Sequence, residues 1–206
     1  YVKQLMDYGK KFIIIGNINC VTYKEVFPLL RDNKVWMGCT IHSGDREFGV
    51  PDEYPLEAAG CRIDENGKKY IRVKGVRWYT NIDHGRRHNP LSLMSMADNI
   101  KYSKHKDIQG KKYQHYDNYD AIEIPYTDAI PCDYENLMGV PVTFLDKYCP
   151  EQFDIIWQAC GNTRASAPKE ILDEVGYTIH PEDRGGCGVV NNKRQYARIL
   201  IRKKHL

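Results

Sequence analysis

The residues of this chain that are best suited to chemistry lie in one short stretch, from Asp83 to His88. His84 and His88 are four positions apart, the spacing that places two metal ligands on one face of a helix. Gly85 weakens a helix there, and the two arginines between the histidines disfavour a bound cation. Asp83 with His84 suits a hydrolytic or nuclease site, but no neighbouring residue completes it. We therefore expect no metal here and keep a hydrolytic site as an alternative.

Basic residues are concentrated in two stretches of the chain. The first covers residues 68–87, and the second covers residues 184–206, where there is no acidic residue. Acidic residues gather elsewhere, notably at 117–135 and 170–174. The net charge of +3 is ordinary, but segregated charge of this kind suits a polyanionic partner. The equally good alternative is that these cations only solvate the exposed faces of strands.

Each basic stretch is associated with a predicted hairpin. Asn66-Gly67 is a strong two-residue turn signal, and Asn191-Asn192 is a weaker one. On the strand that returns from each turn, aromatic and basic side chains share a face. Such a face can bind phosphates by charge and stack bases on rings.

The elements that must position these residues begin with a predicted β-α-β unit. The run Phe12-Ile13-Ile14-Ile15 is apolar throughout, as expected of a strand buried on both faces of a parallel sheet. Thr22 and Glu25 fit a capping box for the helix that follows, and Pro28 predicts a kink or a restart of that helix. In such sheets ligands bind beyond the carboxyl ends of the strands, which places the loop at 16–19 at the mouth of a cleft.

Two more helices are predicted from their ends. Residues 1–8 have the pattern of the last turns of a helix closed by Gly9, and residues 166–175 that of a helix closed by Gly176. Three tyrosines between positions 113 and 119 are expected to pack over a strand at 121–124 rather than to stack on a base.

Size and composition set the broad class. A chain of 206 residues can form one large domain or two small ones. No stretch is apolar for long enough to cross a membrane. The seven cysteines are odd in number and lack a C-x-x-C pair, which favours reduced thiols and a cytoplasmic location. The first residue is Tyr1 rather than methionine, so we expect further sequence upstream.

A series of segments, taken together, resembles the EcoRI-type adenine-specific DNA methyltransferases. The clearest is Met138-Gly139-Val140-Pro141-Val142-Thr143-Phe144-Leu145-Asp146-Lys147-Tyr148. The other segments that resemble the family are 11–17, 22–29, 78–88, 116–123, 150–153 and 196–202. They occur in the order found in the family and span nearly the whole chain.

The resemblance implies transfer of a methyl group from S-adenosylmethionine to the N6 amine of adenine in duplex DNA. The family's catalytic Asn-Pro-Pro-Phe motif holds that amine and stacks a ring on the flipped base, because a poorly nucleophilic amine must be aligned with the sulfonium methyl. This chain contains no Pro-Pro pair, and in the family the motif lies just upstream of the helix that residues 1–8 resemble. We therefore expect the catalytic residues and most of the donor site to lie upstream of Tyr1, and the chain to be inactive alone.

The fold implied by the resemblance is α/β. It is the C-terminal part of a Rossmann-like class I methyltransferase sheet with mixed α+β target-recognition elements. Residues 1–41 are expected to contribute to the catalytic sheet, and residues 42–206 to supply the remaining strands and the target-recognition region. The oligomeric state and the recognition sequence stay open.

Two sets of residues are candidates for contact with DNA. Asn17 and Asn19, which follow the first strand, either line the cleft for the target base or only shape the turn. The second set comprises basic, aromatic and amide side chains for the DNA backbone or base edges, namely Arg77, Trp78, Asn81, Arg86, Arg87, Arg194, Arg198, Arg202 and Lys203.

Two other functions remain open at this point. One is a non-catalytic nucleic-acid-binding module that keeps the basic hairpins. The other is an unrelated α/β hydrolase with a site around Asp83 and His84.

Overall fold

The computed structural model describes residues 1–40, 45–55 and 57–204. Its strands are β1 (Ile13–Asn17), β2 (Trp36–Met37), β3 (Arg46–Val50), β4 (Cys61–Ile63), β5 (Lys69–Val73), β6 (Val76–Thr80), β7 (Ala121–Glu123), β8 (Leu137–Pro141), β9 (Phe153–Ala159), β10 (Val189–Val190), β11 (Lys193–Arg194) and β12 (Arg198–Lys203). Its α-helices are α1 (Val2–Asp7), α2 (Phe27–Arg31), α3 (Met96–Tyr102), α4 (Thr163–Ser166) and α5 (Lys169–Glu174). Short 3₁₀ helices cover Ile18–Thr22, Gly85–His88, Thr127–Ala129 and Val142–Lys147. The fold is mixed α/β with several sheets.

The first sheet has the strand order β1-β6-β2. Both outer strands are antiparallel to β6, so β1 and β2 run in the same direction without pairing with each other. The predicted β-α-β unit is therefore present, but a strand from later in the chain fills the space between its two strands. The prediction that the first strand is buried on both faces was wrong, because Ile13 and Ile15 are 61% and 45% exposed while Ile14 packs against the core.

The connection after β1 also differs from the predicted capped helix. Asn17, rather than Thr22, caps the segment, because its side-chain oxygen accepts a hydrogen bond from the Asn19 backbone N–H at 2.9 Å. Residues Ile18–Thr22 then form a 3₁₀ helix, and α2 starts separately at Phe27 with Pro28 in its first turn. Proline is tolerated there because the first N–H groups of a helix have no partner within it. The predicted restart at Pro28 is confirmed.

The second sheet carries most of the hydrophobic core and has the order β7-β8-β12-β9. Strands β7 and β8 are parallel, and β12 is antiparallel to both β8 and β9. Ile199, Leu200 and Ile201 of β12 are fully buried in its centre. The Asn191-Asn192 turn is confirmed, with both residues in the left-handed region, but it joins only the short strands β10 and β11. The chain then leaves this hairpin and enters the second sheet as β12.

The third sheet, with the order β3-β5-β4, contains the Asn66-Gly67 hairpin. Strands β4 and β5 pair in antiparallel fashion as predicted, and Gly67 has a φ of 78°. Asp64 accepts hydrogen bonds from the backbone N–H groups of Asn66 and Lys68, both at 2.9 Å. The sheet is tied to the end of β1, where the Asn17 side chain donates to the Lys74 carbonyl at 2.9 Å.

The predicted helix ends are confirmed at two glycines. Gly9 and Gly176 each have a φ of 61°, which closes α1 and α5 respectively. The helix predicted for 166–175 is divided into α4 and α5, because Pro168 supplies no N–H to continue α4. Within the described ranges, no helix is both long and apolar enough to cross a membrane.

Candidate nucleic-acid interface

The predicted site residues are divided between the two ends of the first sheet. Asn17 lies at the carboxyl end of β1, level with Val76. The loop that carries Arg86 and Arg87 lies near the opposite end, where Ile13, Thr80 and Trp36 are level with one another. A five-residue strand spans roughly 13 Å at about 3.3 Å per residue. The two sets therefore do not form one compact site.

At the carboxyl end of β1, Asn17 is engaged in shaping the turn. Its side chain accepts from Asn19 and donates to the Lys74 carbonyl, and its own carbonyl accepts a hydrogen bond from the Tyr79 hydroxyl at 2.8 Å. The side chain of Asn19 is exposed, and Asn19 takes part in this turn through its backbone N–H and carbonyl. Of the two predicted cleft residues, Asn19 is thus the one that can reach a ligand.

A cleft of about 280 Å³ opens at the other end of the sheet. The end of β2, the loop at 84–92 and the two 3₁₀ helices at Thr127–Ala129 and Val142–Lys147 contribute to its walls. Its charged lining comprises three cations, Arg86, Arg87 and Lys147, and two carboxylates, Asp128 and Asp146. The cleft is therefore lined mainly by cations, together with carboxylates that are paired elsewhere: Asp146 with Arg77, and Asp128 with Lys104.

Arg87 holds this loop in place. Its guanidinium lies over the Trp36 ring at 3.7 Å from the centroid and bonds to Asp83 at 2.9 Å and to the side chain of Asn33. The Arg87 side chain is 9% exposed. Arg87 and His88 together lower the pKa of Asp83 to about 2 by hydrogen bonding to its carboxylate. Arg87 thus has a structural role. Arg86 donates a hydrogen bond to the Cys39 carbonyl at 2.9 Å and remains exposed at the surface.

The histidines of the loop have separate partners. His84 bonds to the Met37 carbonyl at 2.8 Å, whereas His88 bridges Glu151 at 2.8 Å and Asp83 at 3.0 Å. These hydrogen bonds, first to Glu151 and then to Asp83, raise the pKa of His88. The Asp83 carboxylate therefore bonds to the imidazole of His88, whereas the imidazole of His84 bonds to Met37, and the alternative of a hydrolytic site around Asp83 and His84 has no geometric support. Among the residues with described positions, no group of three potential ligands could hold a metal ion.

Arg77 and Asn81, both predicted to contact DNA, form hydrogen bonds to other residues of this chain. Arg77 is 4% exposed and forms a bidentate ion pair with Asp146 at 2.7 and 2.9 Å. Asn81 bonds through its oxygen to the Phe12 N–H at 3.0 Å and through its amide to the Lys10 carbonyl at 2.9 Å. Trp78 lies partly buried against Gly38, where an added Cβ would approach the Trp78 Cβ to 2.7 Å.

The C-terminal candidates also separate into paired and exposed residues. Arg198 is nearly buried and bonds to Glu123 at 2.6 and 2.9 Å, because β12 lies in the middle of the second sheet. Arg202 pairs with Glu174 at 3.3 Å, and Lys203 is half-buried at the end of β12. Arg194, at the tip of the β10–β11 hairpin, is exposed. It is the C-terminal candidate best placed to meet a partner.

Sequence reasoning missed a second cleft, of about 560 Å³, between α2 and the end of β9. Phe27 and Trp157 pack edge to face there, with ring centroids 5.2 Å apart. The Gln158 side-chain oxygen and the Trp157 indole nitrogen are buried without a hydrogen-bond partner among the described residues. The one feature of the sequence that could have indicated this cleft is Asn162, a polar residue shortly after the buried strand β9.

Comparison with known proteins relates the chain to bacterial DNA-modifying enzymes. Type II methyltransferase M.EcoRI of Escherichia coli is 40% identical over 206 residues, which is 100% of this chain and 54% of that protein. M.MgeORF184P of Mycoplasma genitalium is 30% identical over 210 residues, covering 100% of this chain and 61% of that protein. M.MpnI of Mycoplasma pneumoniae is 27% identical over 207 residues, which cover 99% of this chain and 60% of that protein. The chain thus spans little more than half the length of these curated relatives, and no solved structure gives a significant match.

The family comparison covers the chain almost completely. The family described as "Adenine-specific methyltransferase EcoRI" matches residues 1–204, which include every segment that carried the resemblance in the sequence. The resemblance is confirmed, and the chain belongs to the EcoRI family of adenine-specific methyltransferases.

Proposed function

We propose that the protein containing this chain transfers a methyl group from S-adenosylmethionine to the N6 amine of adenine in double-stranded DNA, as part of a restriction-modification system in the cytoplasm. The observation that carries this proposal is the family match over residues 1–204, together with 40% identity to M.EcoRI along the whole chain. The chain's share in this function is the later part of the catalytic sheet and the surfaces that meet DNA.

The topology of the first sheet supports a Rossmann-like arrangement. Its strands β1 and β2 are parallel and joined by a connection that contains α2, as in the units of such sheets. The far edge of β1 has no strand partner among the residues that the structure describes. We infer that strands encoded upstream pair with this edge and complete the catalytic sheet.

The proposed division of the chain is between residues 1–41 and 42–206. Residue 41 lies outside the described residues, so the boundary falls in the connection between β2 and β3. The later region is not separate from the sheet, since its strand β6 lies between β1 and β2. The catalytic sheet is thus built from both regions.

The charged cleft at the 84–92 loop is poorly suited to bind the methyl donor. A sulfonium is a cation, and the cleft at the 84–92 loop is lined by Arg86, Arg87 and Lys147, which would repel it. We infer that residues encoded upstream hold the donor. At the carboxyl end of β1, the exposed Asn19 would face the target base, in the position where parallel sheets bind their ligands.

The proposal is tested with the intact protein, methyl-labelled S-adenosylmethionine and duplex DNA of mixed sequence. Digestion to nucleosides and mass spectrometry should show labelled N6-methyladenine, and none when the donor is omitted. Label on cytosine, or no label in any base, would overturn the proposed reaction. Duplex binding without methyl transfer would instead favour the non-catalytic binding module.

A further inference from the structure

Most of the arginines that the sequence suggests for DNA contact are already paired. Arg77 is bound by Asp146, Arg87 by Asp83, and Arg198 by Glu123. A guanidinium held in such a pair has to break it before it can bind a phosphate. Cations that lie exposed and outside the ion pairs of the described residues are therefore better placed to bind DNA.

Four such cations are brought together by the β10–β11 hairpin. Lys193 and Arg194 form β11, and Lys111 and Lys112 lie about 80 residues earlier, in the loop before β7. All four are exposed, and no ion pair involves any of them within the part of the chain that the structure describes. The tertiary fold thus gathers charges that the sequence keeps far apart.

Hydrogen bonds fix the two segments against each other. The Asn191 amide donates to the Gln114 side chain at 3.1 Å, and the Asn192 N–H donates to the Asp117 carboxylate at 2.8 Å. The Asp117 N–H in turn donates to the Val189 carbonyl at 2.8 Å. Asp117, the acidic residue next to these cations, is therefore occupied by the backbone of the turn.

An aromatic side chain adjoins this surface. Tyr196, two residues after Arg194, is 87% exposed, although it lies between the hairpin and the buried strand β12. Exposed rings beside unpaired cations suit a nucleic-acid backbone, because the cations bind phosphates and the ring packs on sugars or bases.

We propose that Lys111, Lys112, Lys193 and Arg194, with Tyr196 beside them, form a surface that binds the phosphate backbone of duplex DNA. We call this surface the basic face. The proposal rests on the proposed function and names where this chain holds its substrate. Its contacts are to phosphates, so they supply affinity and position without reading sequence.

The test is duplex binding by the intact protein, measured by fluorescence anisotropy at several NaCl concentrations. The variant Lys111→Gln/Lys112→Gln/Lys193→Gln/Arg194→Gln should lower the slope of log K against log salt by about 2 to 4, because each neutralised phosphate accounts for about 0.9 of that slope. Each double variant, Lys111→Gln/Lys112→Gln or Lys193→Gln/Arg194→Gln, should give about half of that change. The loss of DNA-binding affinity in these variants should be equal for duplexes with and without a methylated site.

Two controls make the outcome decisive. Lys3→Gln/Lys169→Gln removes two exposed lysines elsewhere and should leave the slope unchanged. The charge-conserving variant Lys112→Arg/Lys193→Arg should bind like the original, which separates charge from folding. An unchanged slope in the fourfold variant, or a change as large in the Lys3 and Lys169 control as in either double variant, would overturn the basic face. If one of these results is found and the original protein still methylates adenine, only the basic face is refuted. If the original protein neither binds nor methylates duplex DNA, the proposed function is refuted as well.

Discussion

The ion pair between Arg77 and Asp146 fixes the first sheet against the segment that follows β8. Both side chains are about 5% exposed, and two hydrogen bonds join them. Replacing one member of a buried ion pair typically costs about 3–5 kcal/mol, because the remaining buried charge loses a strong partner. We predict that Arg77→Met destabilises the intact protein by this amount, measured by urea denaturation.

The control for this prediction removes both charges. Arg77→Met/Asp146→Leu removes both charges of this pair, and buried pairs replaced by apolar residues are often neutral in stability. The double variant should therefore recover most of the stability. A double variant that unfolds as easily as Arg77→Met would show that the charge pair is not the origin of the effect.

A second prediction concerns the ring of Tyr116, which lies between two glycines. A Cβ at Gly139 would come within 2.8 Å of the Tyr116 ring, and a Cβ at Gly188 would meet the same ring from its other side. Since Tyr116 is buried and bonds to Glu123, it cannot swing away. Gly139→Ala should destabilise the protein by about 1–3 kcal/mol, as overpacking does.

The matched substitution is Gly49→Ala, on the exposed strand β3, where nothing lies within 4 Å of an added Cβ. Its effect on the unfolding free energy should stay within about 0.5 kcal/mol, as for surface substitutions. Urea denaturation of both variants gives the comparison. Equal effects at Gly49 and Gly139 would mean that the contact with Tyr116 does not decide the cost.

At the residue scale, the sequence shows which side chains are suited to DNA contact but not which of them form ion pairs inside the protein. The sequence identifies several arginines of the candidate interface, but it identifies neither their partners nor the lysines at positions 111, 112 and 193. Arg77 and Asp146 are 69 positions apart, and Arg198 and Glu123 are 75 apart. No local pattern carries such a pairing, so burial of these arginines becomes visible only in the fold.

Among the elements, the loop at 84–92 depends on a histidine that bridges two carboxylates. Because Glu151 and Asp83 raise the pKa of His88, its contribution to stability is complete below the unfolded value of about 6.5 and is lost as pH rises through the raised pKa. Asp83 behaves in the opposite way, since its pKa of about 2 lies below the ordinary value of 3.8 for an aspartate. Its contribution is present above about pH 4 and is lost as pH falls toward 2.

We therefore predict that the loop is best protected between about pH 4 and 6.5. Hydrogen exchange of residues 84–92 in the intact protein, corrected for intrinsic rates, should become less protected as pH rises above the His88 pKa. In His88→Gln this change should disappear. A loop whose protection stays constant from about pH 6 to 9 in the original protein would contradict the bridge.

Elements defined by neighbouring residues were the ones that sequence could predict. The Asn66-Gly67 hairpin, the restart of a helix at Pro28 and the ends at Gly9 and Gly176 all depend on local backbone geometry. The neighbour of β1 could not be predicted in this way, because β6 enters between β1 and β2 from about 40 residues further along the chain. An unbroken apolar run predicts a strand buried on both faces, although one face of β1 is open.

At the scale of the whole molecule, the open apolar face of β1 is the clearest indication of a surface that packs against another part of the protein. Ile13 and Ile15 project from β1 next to an edge without a strand partner in the described residues. Apolar side chains and an unpaired edge side by side form a template for further strands and helices. The chain spans 54% to 61% of the length of its relatives, and the remaining part of such a protein is long enough to cover the face.

We predict that Ile13 and Ile15 behave as core residues in the intact protein. Ile13→Glu/Ile15→Glu should lower its free energy of unfolding by more than about 2 kcal/mol, because charges would be buried under the covering elements. Ile179→Glu, at a side chain that is 73% exposed and far from this edge in sequence, should change it by less than about 0.5 kcal/mol. Urea denaturation followed by circular dichroism measures both. If the two variants were equally harmless, the open face of β1 would be a true surface of the intact protein.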